Sequence, residues 1–277
     1  MIKMKKFSYM LAPIEDMTSN SFRTICYKYG ADITFTELDS VQGLAKQNKN
    51  TWSRLDFHDD TPTIIQLLGA KEAYFKKFLR VFKPSAGFKG FNLNLGCPDP
   101  EIIKAGQGCA MIRRISKTKK IVDIFKDYKY NISIKMRLGL NQHDKEKKIY
   151  LHILDAVDAD FFVVHARHGN QGYNESADFS VYDECVKTGR NIIANGDIKT
   201  KEQVDFLRDK GVKGVMIGRA AVLDPSIFNT LKGIYSRKDK ILSEYLDLTE
   251  RFNEPLRYRK NITKWMGKDS FLTKTLI

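Results

Sequence analysis

The sequence predicts an α/β protein: a (β/α)8 TIM barrel with a small helical appendage after it. Three observations carry this reading. Eight short strand-like runs recur between residues 7 and 217, most of them separated by segments with an apolar stripe at helical spacing. Several runs are apolar on both faces, as buried parallel strands are. Each run ends in polar residues or glycine, as strands do when their carboxyl ends build a site. An open doubly wound sheet would want a Gly-x-Gly-x-x-Gly after the first strand, and none is there.

In chain order, the first run spans 7–11 and stops before Pro13. A helix over 19–29 follows, with Phe22, Ile25 and Cys26 on one stripe. The second run, 33–37, is rich in β-branched and aromatic residues. The stretch 38–62, with Trp52, Phe57 and His58, is read as an elaborated irregular loop over the barrel mouth. The third run, 63–67, precedes Gly69 and a helix over 71–82 carrying Tyr74, Phe75, Phe78 and Leu79. In the fourth run, 90–95, Phe91, Leu93 and Leu95 alternate with Asn92 and Asn94, and Gly96-Cys97-Pro98 stops it sharply. A helix over 116–128 leads to the fifth run, 132–136, and a helix over 143–157 to the sixth, 161–165. The seventh run, 191–194, a helix over 201–209 and the eighth run, 214–217, complete the barrel.

After Phe228 two amphipathic helices are expected, over 238–252 and 255–266. The boundary is placed so that 1–235 is the barrel and 236–277 a short basic tail. Arg237, Lys238, Arg251, Arg257, Arg259, Lys260, Lys264 and Lys268 supply the charge. Two or three helices have too thin a core to fold alone, so the tail is an appendage.

The 277 residues include 42% hydrophobic side chains, enough for a full core. Lys and Arg number 47 against 33 Asp and Glu, a net charge of +14. That excess points to a polyanion, with nucleic acid first and a membrane surface second, or simply to a lysine-rich proteome. The four cysteines, Cys26, Cys97, Cys109 and Cys185, form no Cys-x-x-Cys pair. That pattern argues for a reducing compartment and against a zinc site. The apolar run near Met10 is too short for a signal peptide, and Glu15-Asp16 follow at once. The chain is read as a cytoplasmic monomer with no metal and no membrane span.

The strand ends hold the chemistry. They present Pro13-Ile14-Glu15, Glu37, Gln66, Asn94 with Cys97, Lys135 with Arg137, His165 with Arg167, Asn195-Gly196-Asp197 and Gly218-Arg219. A lone cysteine is usually core filler, and a lone lysine a salt-bridge partner. A ring of such groups is hard to explain as packing, because each would need a buried partner. The last two ends lie where barrels bind phosphate, though two tight turns would look the same. Lys135 and Gln66 suit the polar edge of a planar heteroaromatic cofactor. Lys135 as a Schiff-base former is the rival chemistry, which the neighbouring Arg137 disfavours slightly.

These segments, taken together, resemble the tRNA-dihydrouridine synthase family. The likeness runs in family order from Leu11 to about Phe228 through Thr34-Phe-Thr-Glu37, Ile65-Gln-Leu67, Asn92-Leu-Asn-Leu-Gly-Cys-Pro98, Gly106-Gln-Gly-Cys109, Ile134-Lys-Met-Arg137, Val164-His-Ala-Arg167, Asn195-Gly-Asp197 and Gly218-Arg-Ala220. The Asn-x-Gly-Cys-Pro element with the following Gly-x-Gly is its most specific part.

The resemblance implies a barrel that binds FMN, takes electrons from NADPH (or NADH) and reduces uridine in tRNA. It implies FMN contacts from Pro13, Ile14, Glu15, Gln66, Lys135 and His165. The phosphate would fall to Asn195, Gly196, Asp197, Gly218 and Arg219. Cys97 would be the general acid, with Asn94, Arg137 and Arg167 on the substrate. Cys109, which follows two glycines, is expected to pack at a helix start. A thiol that is mostly protonated at neutral pH suits the acid role. The alternatives are an FMN barrel acting on a free pyrimidine, which needs no positive excess, and a non-catalytic RNA-binding barrel.

Overall fold

The computed structural model describes residues 6–268. Eight parallel strands form one sheet: β1 Ser8–Leu11, β2 Thr34–Ser40, β3 Thr63–Leu68, β4 Phe88–Leu95, β5 Ile132–Met136, β6 Phe162–His165, β7 Ile192–Asn195 and β8 Gly214–Ile217. Their order is β1-β8-β7-β6-β5-β4-β3-β2. The sheet closes on itself where Met10 bridges to Ile33 and the Leu11 N–H donates to the Ile33 carbonyl at 2.9 Å. The result is the expected (β/α)8 barrel.

Alternation decides what each strand shows to each side. In β4, Phe91, Leu93 and Leu95 face the helices; the Phe91 ring meets Phe78, Phe82 and Phe125 with centroids 5.0–5.7 Å apart. Asn92 and Asn94 therefore point into the barrel. Elsewhere the lumen is apolar: Met10, Ile33, Phe35, Ile64, Phe161, Val163, Ile193 and Met216 form a separate buried cluster. The barrel is thus oily on one side and polar along β3, β4 and β5.

Two expected elements change form. Within 38–62, β2 runs on to Ser40 and two short helices follow, Val41–Ala45 and Lys49–Ser53. Ser40 and Asn48 cap them, their side-chain oxygens accepting from Gly43 N and Thr51 N. The single helix expected over 143–157 is two, Gln142–Glu146 and Ile149–Ala156, broken at Lys148 with φ 53°. The break lets Asp144 meet Arg113 at 2.8 Å while Tyr150, Ile153 and Leu154 pack on the sheet. Five elements had no expectation: Pro100–Lys104, the 3-10 turn Gly108–Arg113, Val181–Lys187, Arg219–Leu223 and Ile227–Leu231.

The tail folds as two helices, Ile241–Arg251 and Leu256–Thr263. The first sets Tyr245 edge-on to Phe22 of the helix Asn20–Lys28, ring centroids 6.4 Å apart. The second reaches the barrel mouth. Residues 269–277, the end of the expected tail, lie outside the described residues. Among the described residues no helix is long and apolar enough to cross a membrane.

Candidate active site

The strand ends do converge. Cys97, just past β4, is partly exposed, whereas Cys26, Cys109 and Cys185 are buried. Its position is fixed by Asn94, whose Oδ1 accepts from both the Gly96 and Cys97 backbone N–H groups at 2.9 Å. Asn94 Nδ2 donates to Gln66 Oε1 at 2.9 Å, Gln66 Nε2 to Asn92 Oδ1 at 2.8 Å, and Asn92 Nδ2 to Ser133 Oγ at 2.8 Å. A chain of side-chain amides thus crosses three strands inside the barrel and ends under the thiol. Such a network is rigid because every unmade bond in it would leave a buried polar group unpaired. Burial pushes the Cys97 thiol above its ordinary value, so it keeps its proton at neutral pH; Arg137 nearby pulls weakly the other way.

Cys109 sits in the 3-10 turn, its Sγ donating to the Gly139 carbonyl at 3.2 Å and its pKa pushed by burial up to about 12. Gly108, beside it, has φ 54°, and a Cβ there would lie 2.7 Å from the Cys97 carbonyl oxygen. Only glycine fits this approach. Gly108→Ala is therefore expected to displace the Cys97 loop and lower the unfolding free energy by roughly 1–3 kcal/mol. Chemical denaturation would show the shift, and an unchanged midpoint would refute it.

Beside Cys97, Lys135 is half-buried, and among the described residues no hydrogen bond or ion pair holds its ammonium. Burial first, and Arg137 second, push it down to about 8. His165 is held neutral, well below its ordinary value, by burial and by the positive charges of Lys135, Arg137, Arg167 and Arg219. Its Nε2 lies 3.2 Å from Arg167 NH1, which can only donate, so the ring proton sits on Nδ1. Arg137 donates to the His168 carbonyl at 2.8 Å. Arg167 is wholly buried and spends its donors on the Glu175 carbonyl and Asp197. Asp197, left-handed at φ 51°, also takes Arg219 at 2.8 Å. Asn195 uses Nδ2 on the Met216 carbonyl at 2.8 Å. A Cβ on Gly196 would crowd His165 Cδ2 at 2.9 Å. Gly218 begins the helix Arg219–Leu223 and faces Ile14 across the mouth.

Tyr173, which sequence reasoning missed, stacks on His165 at 6.2 Å and lies under the guanidinium groups of Arg219, Arg167 and Arg137 at 4.2, 5.6 and 5.8 Å. Only its place in the polar loop after β6, within reach of His165 in sequence, hinted at it. Glu15 turns away toward Arg54 at 3.1 Å. With Asp16 and Glu37 it forms an acidic trio, answered by Arg54 and Arg257.

A family profile described as dihydrouridine synthase, Dus, matches residues 10–271. The chain belongs to the dihydrouridine synthase family. As a member, it is similar to a probable tRNA-dihydrouridine synthase of Aquifex aeolicus, 27% identical over 259 residues, with 89% of this chain and 81% of that protein covered. A second probable tRNA-dihydrouridine synthase, from Helicobacter pylori, is 28% identical over 276 residues, covering 94% and 83%. A rat tRNA-dihydrouridine(47) synthase-like protein of the NAD(P)(+) type is 28% identical over 246 residues, which is 87% of this chain but 38% of that protein. The chain thus matches well under half the length of that longer relative. A FabK mutant from Thermotoga maritima shares the fold alone, with TM-score 0.50, 10% identity, 81% of this chain and 65% of that one covered. In this dihydrouridine synthase chain the family's Asn-x-Gly-Cys-Pro element is the segment that the amide chain locks in place.

Proposed function

We propose that this chain reduces the C5=C6 bond of uridine in tRNA, with FMN as cofactor and NADPH (or NADH) as reductant. The observation that carries the reading is Cys97: a protonated, partly exposed thiol, locked by Asn94 at the mouth beside a cluster of cations. Family membership supports the same chemistry.

The residues present fit FMN. Lys135 is a half-buried ammonium with no partner among the described residues, and such a charge is costly unless an anion answers it. The anionic edge of a reduced flavin is such an anion. Lys135 would hold that edge, Pro13 and Ile14 would line the ring, and neutral His165 would stay near it. Gly196, Gly218 and Arg219 would receive the phosphate, with Arg219 moving off Asp197. Gln66 acts less through direct contact than by holding Asn94. Glu15, turned to Arg54, has the weakest case among the cofactor residues. Bound FMN, once reduced, supplies the hydride that adds to C6.

The chain's own groups do the rest. Cys97 donates its Sγ proton to C5, and Arg137 eases the thiolate left behind. Being partly exposed, that thiolate regains a proton from water. Asn94 keeps one Nδ2 hydrogen, and Arg137 keeps donors beyond those spent on the 168 and 171 carbonyls; both can hold uracil oxygens. Arg167 is wholly buried and has four of its five donors committed, so its part is to fix His165 and Asp197. A uridine inside folded RNA must be turned out of its stack to reach this mouth, which requires grip on the backbone. In the tail, Arg237, Lys238, Arg257 and Arg259 already face Asp239, Asp224, Asp16 and Glu250. Arg251, Lys260, Lys264 and Lys268 have no acidic partner among the described residues and are the better phosphate contacts. The four free cysteines suit a reducing cytoplasm.

Unmodified tRNA and free uridine, each offered to the reduced protein, separate the readings. The expected result is two hydrogens gained per target uridine in tRNA, read by mass spectrometry of nucleosides. Faster consumption of the free pyrimidine, with no need for tRNA, would overturn the proposal.

A further inference from the structure

The second tail helix does more at the mouth than carry charge. Asp16 closes the turn after Pro13-Ile14-Glu15, where the Met17 N–H donates to the Ile14 carbonyl at 3.2 Å. Asp16 has φ 54°, a left-handed conformation unfavourable for a residue with a Cβ. Such a conformation persists when its surroundings over-determine it. Here three groups do so. The Asp16 N–H donates to Glu37 Oε2 at 2.8 Å, Asn261 Nδ2 donates to the Asp16 carbonyl at 3.1 Å, and Arg257 Nε meets Asp16 Oδ1 at 3.2 Å. Glu37 is itself held, because the Tyr258 hydroxyl donates to its other oxygen. Arg257, Tyr258 and Asn261 all belong to the helix Leu256–Thr263, and each acts on Asp16 directly or through Glu37.

We propose that this helix is a clamp for the cofactor loop: through Tyr258, Glu37 and Asn261 it holds Pro13-Ile14 in the conformation that receives the flavin. Glu37, Tyr258 and Asn261 are positioning residues; none touches the reacting atoms. The inference rests on the flavin reading above, but gives the tail a role apart from gripping RNA. Its physical content is the strained residue. Without the clamp, Asp16 relaxes toward negative φ and the preceding residues move with it.

The test is FMN affinity, titrated by flavin fluorescence quenching on the full chain, with tRNA affinity measured on the same samples. Tyr258→Phe combined with Asn261→Ala is expected to weaken FMN binding by about 10-fold, with tRNA affinity within about 2-fold of the parent. Adding Asp16→Gly to that pair is expected to restore FMN affinity to within about 3-fold, because glycine adopts φ near +54° without strain and no longer needs the clamp. A merely structural role predicts that tRNA and FMN affinity fall together and that glycine does not rescue; that result overturns the clamp. Equal FMN affinity in parent and variants also overturns it while leaving the flavin reading intact. A parent protein that binds no FMN sinks both.

Discussion

Replacing Cys97 by alanine is expected to lower the formation of dihydrouridine by about 10²–10⁴-fold, with binding of FMN and tRNA kept. On the proposed mechanism the loss is large because no other thiol can take the place of Cys97. Cys109 is the nearest other thiol in sequence, but its Sγ is buried on the Gly139 carbonyl and burial pushes its pKa up to about 12. Binding survives because Cys97 anchors neither partner. The Asn94 amide holds the backbone of residues 96 and 97 rather than the sulfur, so the loop keeps its shape when Sγ is gone. Single-turnover assays with nucleoside mass analysis, alongside the absorbance of bound flavin, separate the two effects. Near-normal turnover of Cys97→Ala would remove the thiol from the mechanism.

Lys135→Met gives the second large effect, expected at about 10–100-fold in FMN affinity, the worth of one buried charge-assisted contact. The sign of its pH dependence follows from the direction of the shift. Burial and Arg137 lower the ammonium to about 8, so in the free protein the cation is present below that pH and is lost above it. FMN affinity is therefore expected to fall as pH rises through about 8 in the parent chain and to lose that step in Lys135→Met. Fluorescence titration between pH 6 and 10 reads both. A parent profile flat across that range would show that the ammonium does not face the cofactor.

The barrel was legible because its signals are local. β-branched runs, apolar stripes and breakers such as Gly96 and Pro98 all act within a few residues of where they stand. The ring of polar strand ends was legible for a related reason: topology alone brings the ends of parallel strands to one face. What those ends do to one another was not. Asn94 reads as a substrate ligand in sequence, and the sequence does not record that its oxygen holds two backbone N–H groups and one of its amide hydrogens goes to Gln66. Arg167 reads the same way, and its bonds to Glu175, His165 and Asp197 are equally silent in the sequence. Glu37 is paired with Tyr258, 221 residues away, and no periodicity records such a contact. The break at Lys148 escaped because the run from Gln142 to Lys148 is wholly polar and holds no glycine or proline to mark it, while Asp144 meets Arg113, a partner 31 residues away. The tail's positive charge counted correctly as a sum but not as a surface, since four of its eight named cations meet acids in the fold.

The amide chain from Ser133 through Asn92 and Gln66 to Asn94 spans strands whose partners are set by sheet register: Gln66 stands opposite Asn92, and Asn92 opposite Ser133. The height of Cys97 above the barrel floor is thus counted off in strand residues. The loop adds its own hold, through the Asp99 backbone N–H on the sulfur and the Cys109 N–H on the Cys97 carbonyl at 2.9 Å. One residue inserted in β4 would turn both asparagines outward among the phenylalanines. In such a molecule the chemistry is inherited with the sheet, and the surface around it is left open to variation in how a substrate is brought in.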